Sequence, residues 1–365
     1  MNLDQQGRAA MQFLGSLQVY SSSALQQQAQ EDFERQPEAK GLAQEFAKDT
    51  TRDRWPERLD RARDVAERSK AYRFNRLYQR YVAEEIWVKS AAAVERKRAE
   101  LEPVFAAAKK QPSEKLKLDP ALQIPDFYQG VEWHLQPGGM DGHDLYGPMF
   151  ALGILPYVFG RGGFAAVAVH DNILQQRREV IKQFPKAKYR RIYEPGCGGA
   201  GTLGICRERF ADAELIGGDF SARALRDGLA MSERMGWNIH FRQEDARHVA
   251  EPDNSVDGVI SYAVHHELPE SAAREVINEM YRILEPGGDM VISDPPPFRA
   301  VPPFNAALLA WEADNRGEPY FIESGITNLP QLMREAGFVD VEEYALQDTG
   351  YPWVTRGRKP AKKAG

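Results

Sequence analysis

Cysteine is almost missing from this chain: of 365 residues only Cys197 and Cys206 carry a thiol. Two thiols cannot staple a fold of this length, so a disulfide scaffold is excluded and a reducing compartment is expected. Long apolar runs are missing too. The longest, residues 149–160, is broken by Pro156 and falls short of the ~20 residues a bilayer-spanning helix needs. The Gln- and Ser-rich start lacks the apolar stretch of a secretory signal. Together these absences predict a cytoplasmic protein. Positive charge is in deficit as well, 47 Lys and Arg against 53 Asp and Glu, a formal charge of −6. No overall basic field would draw nucleic acid or an anionic membrane, and neither is expected as a partner. The basic residues at 359–365 read as a solvated tail.

Present instead are 42% hydrophobic and 27% charged residues, an ordinary globular balance with room for one large core and an appended domain. Residues 1–125 read as a helical N-terminal domain without a convincing strand, suited to a lid or to dimerisation. Phe74, Leu77, Tyr78, Tyr81 and Val82, followed by Ile86 and Trp87, recur at helical spacing and predict one apolar face of a long helix. A charged, Ala-rich extension continues to about 110, and the charged stretches 31–35 and 52–70 predict exposed helices. Pro112, Pro120 and Pro125 then mark a linker. Residues 126–163 form the linker and a candidate active-site loop that mixes aromatics, histidines and glycines with no period. His134, Asp141, His143 and Asp144 fall there, but their spacing fits no helical or fingerlike ligand pattern, so no metal is expected.

From an amphipathic helix over about 164–184 onward, strands and helices alternate. Strands are predicted at 191–194, 213–220, 238–244, 256–264 and 289–294, and helices at 201–210, 221–236 and 270–284. In the last of these Ala273, Val276, Ile277, Met280, Ile283 and Leu284 share a face. This alternation implies a parallel sheet covered on both sides. An aromatic and proline-rich interruption at 298–327 precedes a helix at 329–336 and two late strands, 339–346 and 351–358, close enough to pair antiparallel.

Ligands of such sheets bind beyond the carboxyl ends of the strands. Those ends carry Glu194 with the glycine turn Gly196-Cys197-Gly198-Gly199-Ala200-Gly201, then Asp219, Asp245, the loop Tyr262–Glu267 with His265 and His266, and Asp294. Asp219, at the end of the second strand, suits the two hydroxyls of a ribose; Asp245 suits an adenine amine. The glycine turn alone also fits a dinucleotide. Glu194, however, would then face a pyrophosphate at unfavourable Coulomb energy. A cationic sulfonium nucleoside has the opposite preference.

The segments Glu194-Pro-Gly-Cys-Gly, Gly218-Asp219-Phe-Ser and Glu244-Asp245-Ala246 resemble, in this order, the class I Rossmann-like methyltransferases that depend on S-adenosyl-L-methionine (SAM). So do the fourth strand Val256–Ser261 and the turn Pro286-Gly287-Gly288 into Asp294. The resemblance spans about 164–358. It implies an α/β fold with a seven-stranded, mostly parallel sheet and an antiparallel last strand, with SAM as cofactor. Glu194, Gly196, Cys197, Gly198, Gly201, Asp219, Phe220, Asp245, Ala246 and Tyr262 would line its site. One departure is Ala200, where the family's most frequent pattern has glycine. The implied chemistry is in-line transfer of the methyl group from the sulfonium to a nucleophile of a small-molecule acceptor, O- slightly favoured over N-, S- or C-. His265 and His266 are candidate bases. Trp133, His134, Tyr146, Trp311 and Tyr320 are candidate acceptor contacts, with 298–327 as part of the pocket. A homodimer is a further expectation. The alternatives are an NAD(P)-dependent oxidoreductase, for which no hydride-transfer set is evident, and a non-catalytic binding protein on the same scaffold.

Overall fold

A computed structural model describes residues 2–48, 51–103, 113–139, 141–161, 172–348 and 350–362. Its centre is one sheet of strands β1 (Leu116–Lys117), β2 (Arg191–Pro195), β3 (Glu214–Asp219), β4 (Ile239–Gln243), β5 (Val256–Tyr262), β6 (Leu284–Asp294), β7 (Val339–Ala345) and β8 (Trp353–Arg358). The spatial order is β1-β4-β3-β2-β5-β6-β8-β7. Every pairing is parallel except those of β8, which runs antiparallel to both β6 and β7. The α/β reading with an antiparallel last strand therefore holds. The sheet has eight strands rather than seven, because residues 116–117, expected as linker, add a short edge beside β4. A two-residue strand between prolines has no period to read.

The strand order reverses between β2 and β5, and the crevice at such a reversal lies over the carboxyl ends of both strands. Helices cover the two faces. Gly201–Arg209 and Ala222–Met235 pack with Leu203, Leu225 and Leu229 on one side. On the other, Glu270–Ile283 buries Ala273, Val276, Ile277, Met280 and Ile283, the periodic face read from sequence. Of the helix expected over 164–184, Ile173–Ile181 is present, and 164–171 lie outside the described residues.

The first third is helical: α1 (Gln5–Tyr20), α2 (Gln26–Glu34), α3 (Ala39–Lys48), α4 (Trp55–Glu67) and α5 (Lys70–Glu95). Two expectations change here. The charged stretch around α4 is not merely exposed, since Trp55, Leu59, Ala62 and Val65 are buried. The apolar face of α5 is split: Val82, Ile86 and Trp87 are buried, whereas Phe74, Leu77 and Tyr81 face solvent. Residues 298–327 fold as helices Pro303–Asn315 and Phe321–Ile326 and share one hydrophobic cluster with α2, α3 and α4. Among the described residues, no helix is long and apolar enough to cross a membrane.

Candidate active site

The glycine turn after β2 is built from left-handed backbone. Gly196 (φ 63°), Gly198 (φ 49°) and Ala200 (φ 61°) all lie in the region that favours glycine. Ala200, the departure from the family pattern, adopts that conformation directly before the helix beginning at Gly201. The turn is clamped to β3. Cys197 donates its N–H to the Gly218 carbonyl (3.0 Å), and Gly198 donates its own to Asp219 Oδ2 (2.9 Å). Asp219 Oδ1 accepts from Ser221 N–H (2.8 Å). Burial pushes the Asp219 carboxyl up to about 6 in spite of these two amides.

Glu194 is buried at the end of β2. Burial raises its carboxyl to about 8, opposed by the Arg177 guanidinium, the Thr202 hydroxyl and the Leu203 amide. Its Oε2 has no hydrogen-bond partner. Arg177, from helix Ile173–Ile181, sits 4.9 Å from the Tyr262 ring and so close to the helix start that a Cβ on Gly201 would fall 2.7 Å from its Nη1. Nothing but its place in an amphipathic helix marked Arg177 beforehand. Asp245 is engaged by Arg247 (2.7 Å); burial opposes its ionisation, but this partner holds the carboxyl below its usual value. Ala246 packs partly buried under β2 and β5.

A second cluster lies past β5. His266 Nδ1 donates to Asp294 Oδ1 (2.5 Å), whose carboxylate also takes the amides of His265 and His266. Burial works against the His266 charge, but Asp294, Glu318 and Glu267 outweigh it and lift the imidazole to about 9. His265 is different: buried, lowered by that burial, and without a partner on either ring nitrogen. The two histidines expected as equivalent bases therefore sit in opposite surroundings.

His134 joins this cluster from the loop expected to approach the site. Its Nε2 lies 3.0 Å from Glu267 and its Nδ1 2.7 Å from Glu318, and the two carboxylates raise it well above its ordinary value although burial opposes the charge. The backbone pays for this placement with positive φ at His134 (55°) and Leu135 (62°). Trp87 Nε1 on α5 donates to the His134 carbonyl (2.8 Å). Glu318 was not singled out in the sequence. Its neighbour Gly317 lies against the same turn, where a Cβ would meet the Glu132 oxygen at 2.4 Å.

Aromatic rings close the space between the two clusters. Tyr128 stacks on Trp133 (4.8 Å) and meets Phe220 edge-on (4.4 Å). Trp133 is fully buried beside Tyr320, whose hydroxyl donates to the Phe127 carbonyl (2.9 Å). Tyr146 stacks near Trp87 (6.0 Å) under Arg223. Burial raises the hydroxyls of Tyr128 and Tyr146, and the charges of both Glu267 and Asp219 add to it, so these groups converge on one place. Beside it, Tyr128, Glu132 and Asp141 help to line a cavity of about 350 Å³. Trp311 is not brought into this group; its ring packs on Arg76 of α5 (4.7 Å). The four residues weighed for a metal also part company. Asp141 pairs with Ser221 and Arg223. His143 and Asp144 gather with Glu95, where Arg98 already bridges the two carboxylates.

Against known proteins, the family described as a methyltransferase domain matches residues 192–288, from β2 into β6. A demethylmenaquinone methyltransferase of Thermus thermophilus is 26% identical over 51% of this chain and 90% of its own length. Residues 192–288 form a SAM-dependent methyltransferase domain. Other relatives of this methyltransferase are named for different acceptors. A ubiquinone/menaquinone biosynthesis C-methyltransferase of Desulfotalea psychrophila is 28% identical over 44% of this chain and 74% of its own. A fatty-acid O-methyltransferase of Mycolicibacterium smegmatis is 28% identical over 33% and 42%. The residues present fit the cofactor: the orphaned Glu194 Oε2 is an acceptor in want of a cation, and the open space beside Gly198 and Gly199 leaves room for close approach.

Proposed function

We propose that this methyltransferase acts on an oxygen of a small acceptor bound between Tyr128, Tyr146 and the His265–Glu267 loop, in the reducing cytoplasm. Bound SAM supplies a methyl group on a positively charged sulfur. Around it, Glu194 takes the ammonium and Arg177 the carboxylate, with Gly196, Cys197, Gly198 and Gly201 leaving the backbone free to approach. Asp219 holds the ribose, Phe220, Asp245 and Ala246 border the base, and Tyr262 closes the sulfur end. Trp133 and Tyr320 back the acceptor pocket rather than touch the acceptor, and Trp311 belongs to the scaffold behind it.

The observation that carries the acceptor chemistry is the His134–Glu267 pair beside the two tyrosines. Asp294, Glu267 and Glu318 face His134 and His266, both held protonated, which leaves one carboxylate charge unbalanced. That single negative charge receives the proton an acceptor hydroxyl gives up, and Glu267 is its carrier at the pocket. His266, protonated at neutral pH, acts as a fixed cation instead of a base, and His265 is a packing residue. The half-buried tyrosines and the turn at His134 limit the access of water. A panel of small hydroxylated ring compounds assayed with methyl-labelled SAM tests the reading. Glu267→Gln is expected to lower kcat by about a hundredfold, the range of one lost acid–base group, with SAM affinity unchanged. Wild-type turnover in Glu267→Gln, or transfer to nitrogen or sulfur acceptors alone, would sink it.

A further inference from the structure

The split apolar face of α5 has a counterpart on α1. These helices run antiparallel, with Arg96 paired to Asp4 (2.6 Å) at one end and Asn75 Nδ2 donating to the Ser21 carbonyl (2.7 Å) at the other. Both lie on the helical segment Met149–Phe159: Gly15 of α1 packs on the Tyr157 carbonyl, and Ser90 of α5 meets Gly153. Phe13 and Tyr20 stand roughly 140–160° around α1 from Gly15, and Phe74, Leu77, Tyr81 and Val88 roughly 140–200° around α5 from Ser90, at 100° per residue. In both helices these positions point away from the segment beneath. All six side chains are 40–59% exposed. They form one apolar face along the outer side of a two-helix layer.

We propose that this face binds the same face of a second copy of the chain, giving a two-fold dimer with a four-helix seam. Four of the six residues are aromatic, the class enriched at interface centres. At ~200 Å² per large side chain, half-exposed, the six present ~600 Å², the upper end for the largest patch on a monomer and most of the ~800 Å² per partner of a standard interface. A face meeting its own copy needs a rim of both signs. On α5 the rim is Arg80 paired with Glu84 (2.6 Å) and Lys89 paired with Glu85 (3.0 Å), and α1 adds the neutral Gln12 and Ser16. An anionic bilayer would call for an unbroken cationic border, which this rim lacks.

Sedimentation of the full chain over a concentration series tests the proposal, alongside Leu77→Glu and Phe74→Glu/Leu77→Glu. The wild type should sediment at twice its 41.2 kDa and the double variant at 41.2 kDa, with circular dichroism and SAM binding unchanged. Because both residues are solvent-facing, the variants should fold. A wild type that stays monomeric overturns the proposal, as does a double variant that remains dimeric. Monomeric protein that floats with phosphatidylserine vesicles, and loses this in Leu77→Glu, overturns it in favour of a membrane.

Discussion

Glu194 is the residue whose chemistry is most exposed to test. Folding buries it with one oxygen unpartnered and moves its carboxyl from the ordinary 4.5 to about 8. At pH 7 about nine in ten molecules then hold it protonated, and an ammonium placed against it would drive the proton off. SAM binding at pH 7 should therefore release close to one proton. Titration calorimetry in buffers of different ionisation heat will show it as a buffer-dependent enthalpy, and Glu194→Gln should abolish that dependence and weaken binding. An enthalpy equal in all buffers would refute the role. The same shift fixes a stability trend. The folded protein binds this proton more tightly than the unfolded chain, so the contribution is full below about 4.5 and is lost as pH rises to about 8. Saturating SAM should flatten that slope in thermal melts. The sign of Glu194 was legible from its place before the glycines; the Arg177 that faces it was not, because a helix period records only which side is buried.

Strand ends are where this fold is most tightly specified. At Gly218, the last position before Asp219, a Cβ would lie 2.0 Å from the Tyr193 hydroxyl and 2.8 Å from Glu244 Oε1. Tyr193 cannot yield, since it is fully buried in β2 and its hydroxyl donates to Glu244 (2.7 Å). Gly218→Ala should cost about 1–3 kcal/mol, the usual range for overpacking, and shift Asp219 away from the glycine turn. Denaturant unfolding measures the first effect and SAM affinity the second; a variant as stable as wild type would show that the strands are not locked in this register. Such elements were readable because period and position coincide: buried runs of four to seven residues ending in an acid or glycine, and a helix whose face repeats through Ala273, Val276 and Ile277. Where the period serves two surfaces it misleads. The apolar spacing of α5 is real, but Val82 and Ile86 turn inward while Phe74 and Leu77 turn outward, and sequence cannot say how many neighbours a helix will have. The His134–Glu318 pair was beyond reach for a related reason: its partners come from two irregular turns with no shared pattern.

On the scale of the whole molecule, the question is whether the helical third is a lid that swings by itself. Its core argues against that. Phe33 of α2 packs on Phe304 at 5.6 Å and Trp55 of α4 on Phe298 at 6.0 Å, so the inner face of the insertion and that of the N-terminal helices are one surface. Polar links run along the same seam: Arg63 Nη2 donates to the Ala310 carbonyl (2.6 Å) and Arg80 Nη1 to that of Asn315 (2.6 Å). The insertion in turn carries Glu318 into the site, and α5 holds the His134 turn through Trp87. A motion of the first third would therefore drag the insertion, the His134 turn and its partner Glu318 with it, and pull them from Glu267. Calorimetry of the full chain should give one unfolding transition, raised as a unit by SAM. Phe304→Ala, which empties a buried ring site between α2 and α5, should lower the stability of that whole transition by about 3–5 kcal/mol. A fragment starting at residue 126 should expose Phe298 and Phe304 and bind an apolar dye. Two separate transitions, with the upper one insensitive to Phe304→Ala and retained by a dye-free fragment, would instead make the helical third an independent body and remove the reason for treating His134 and Glu318 as parts of one fixed site.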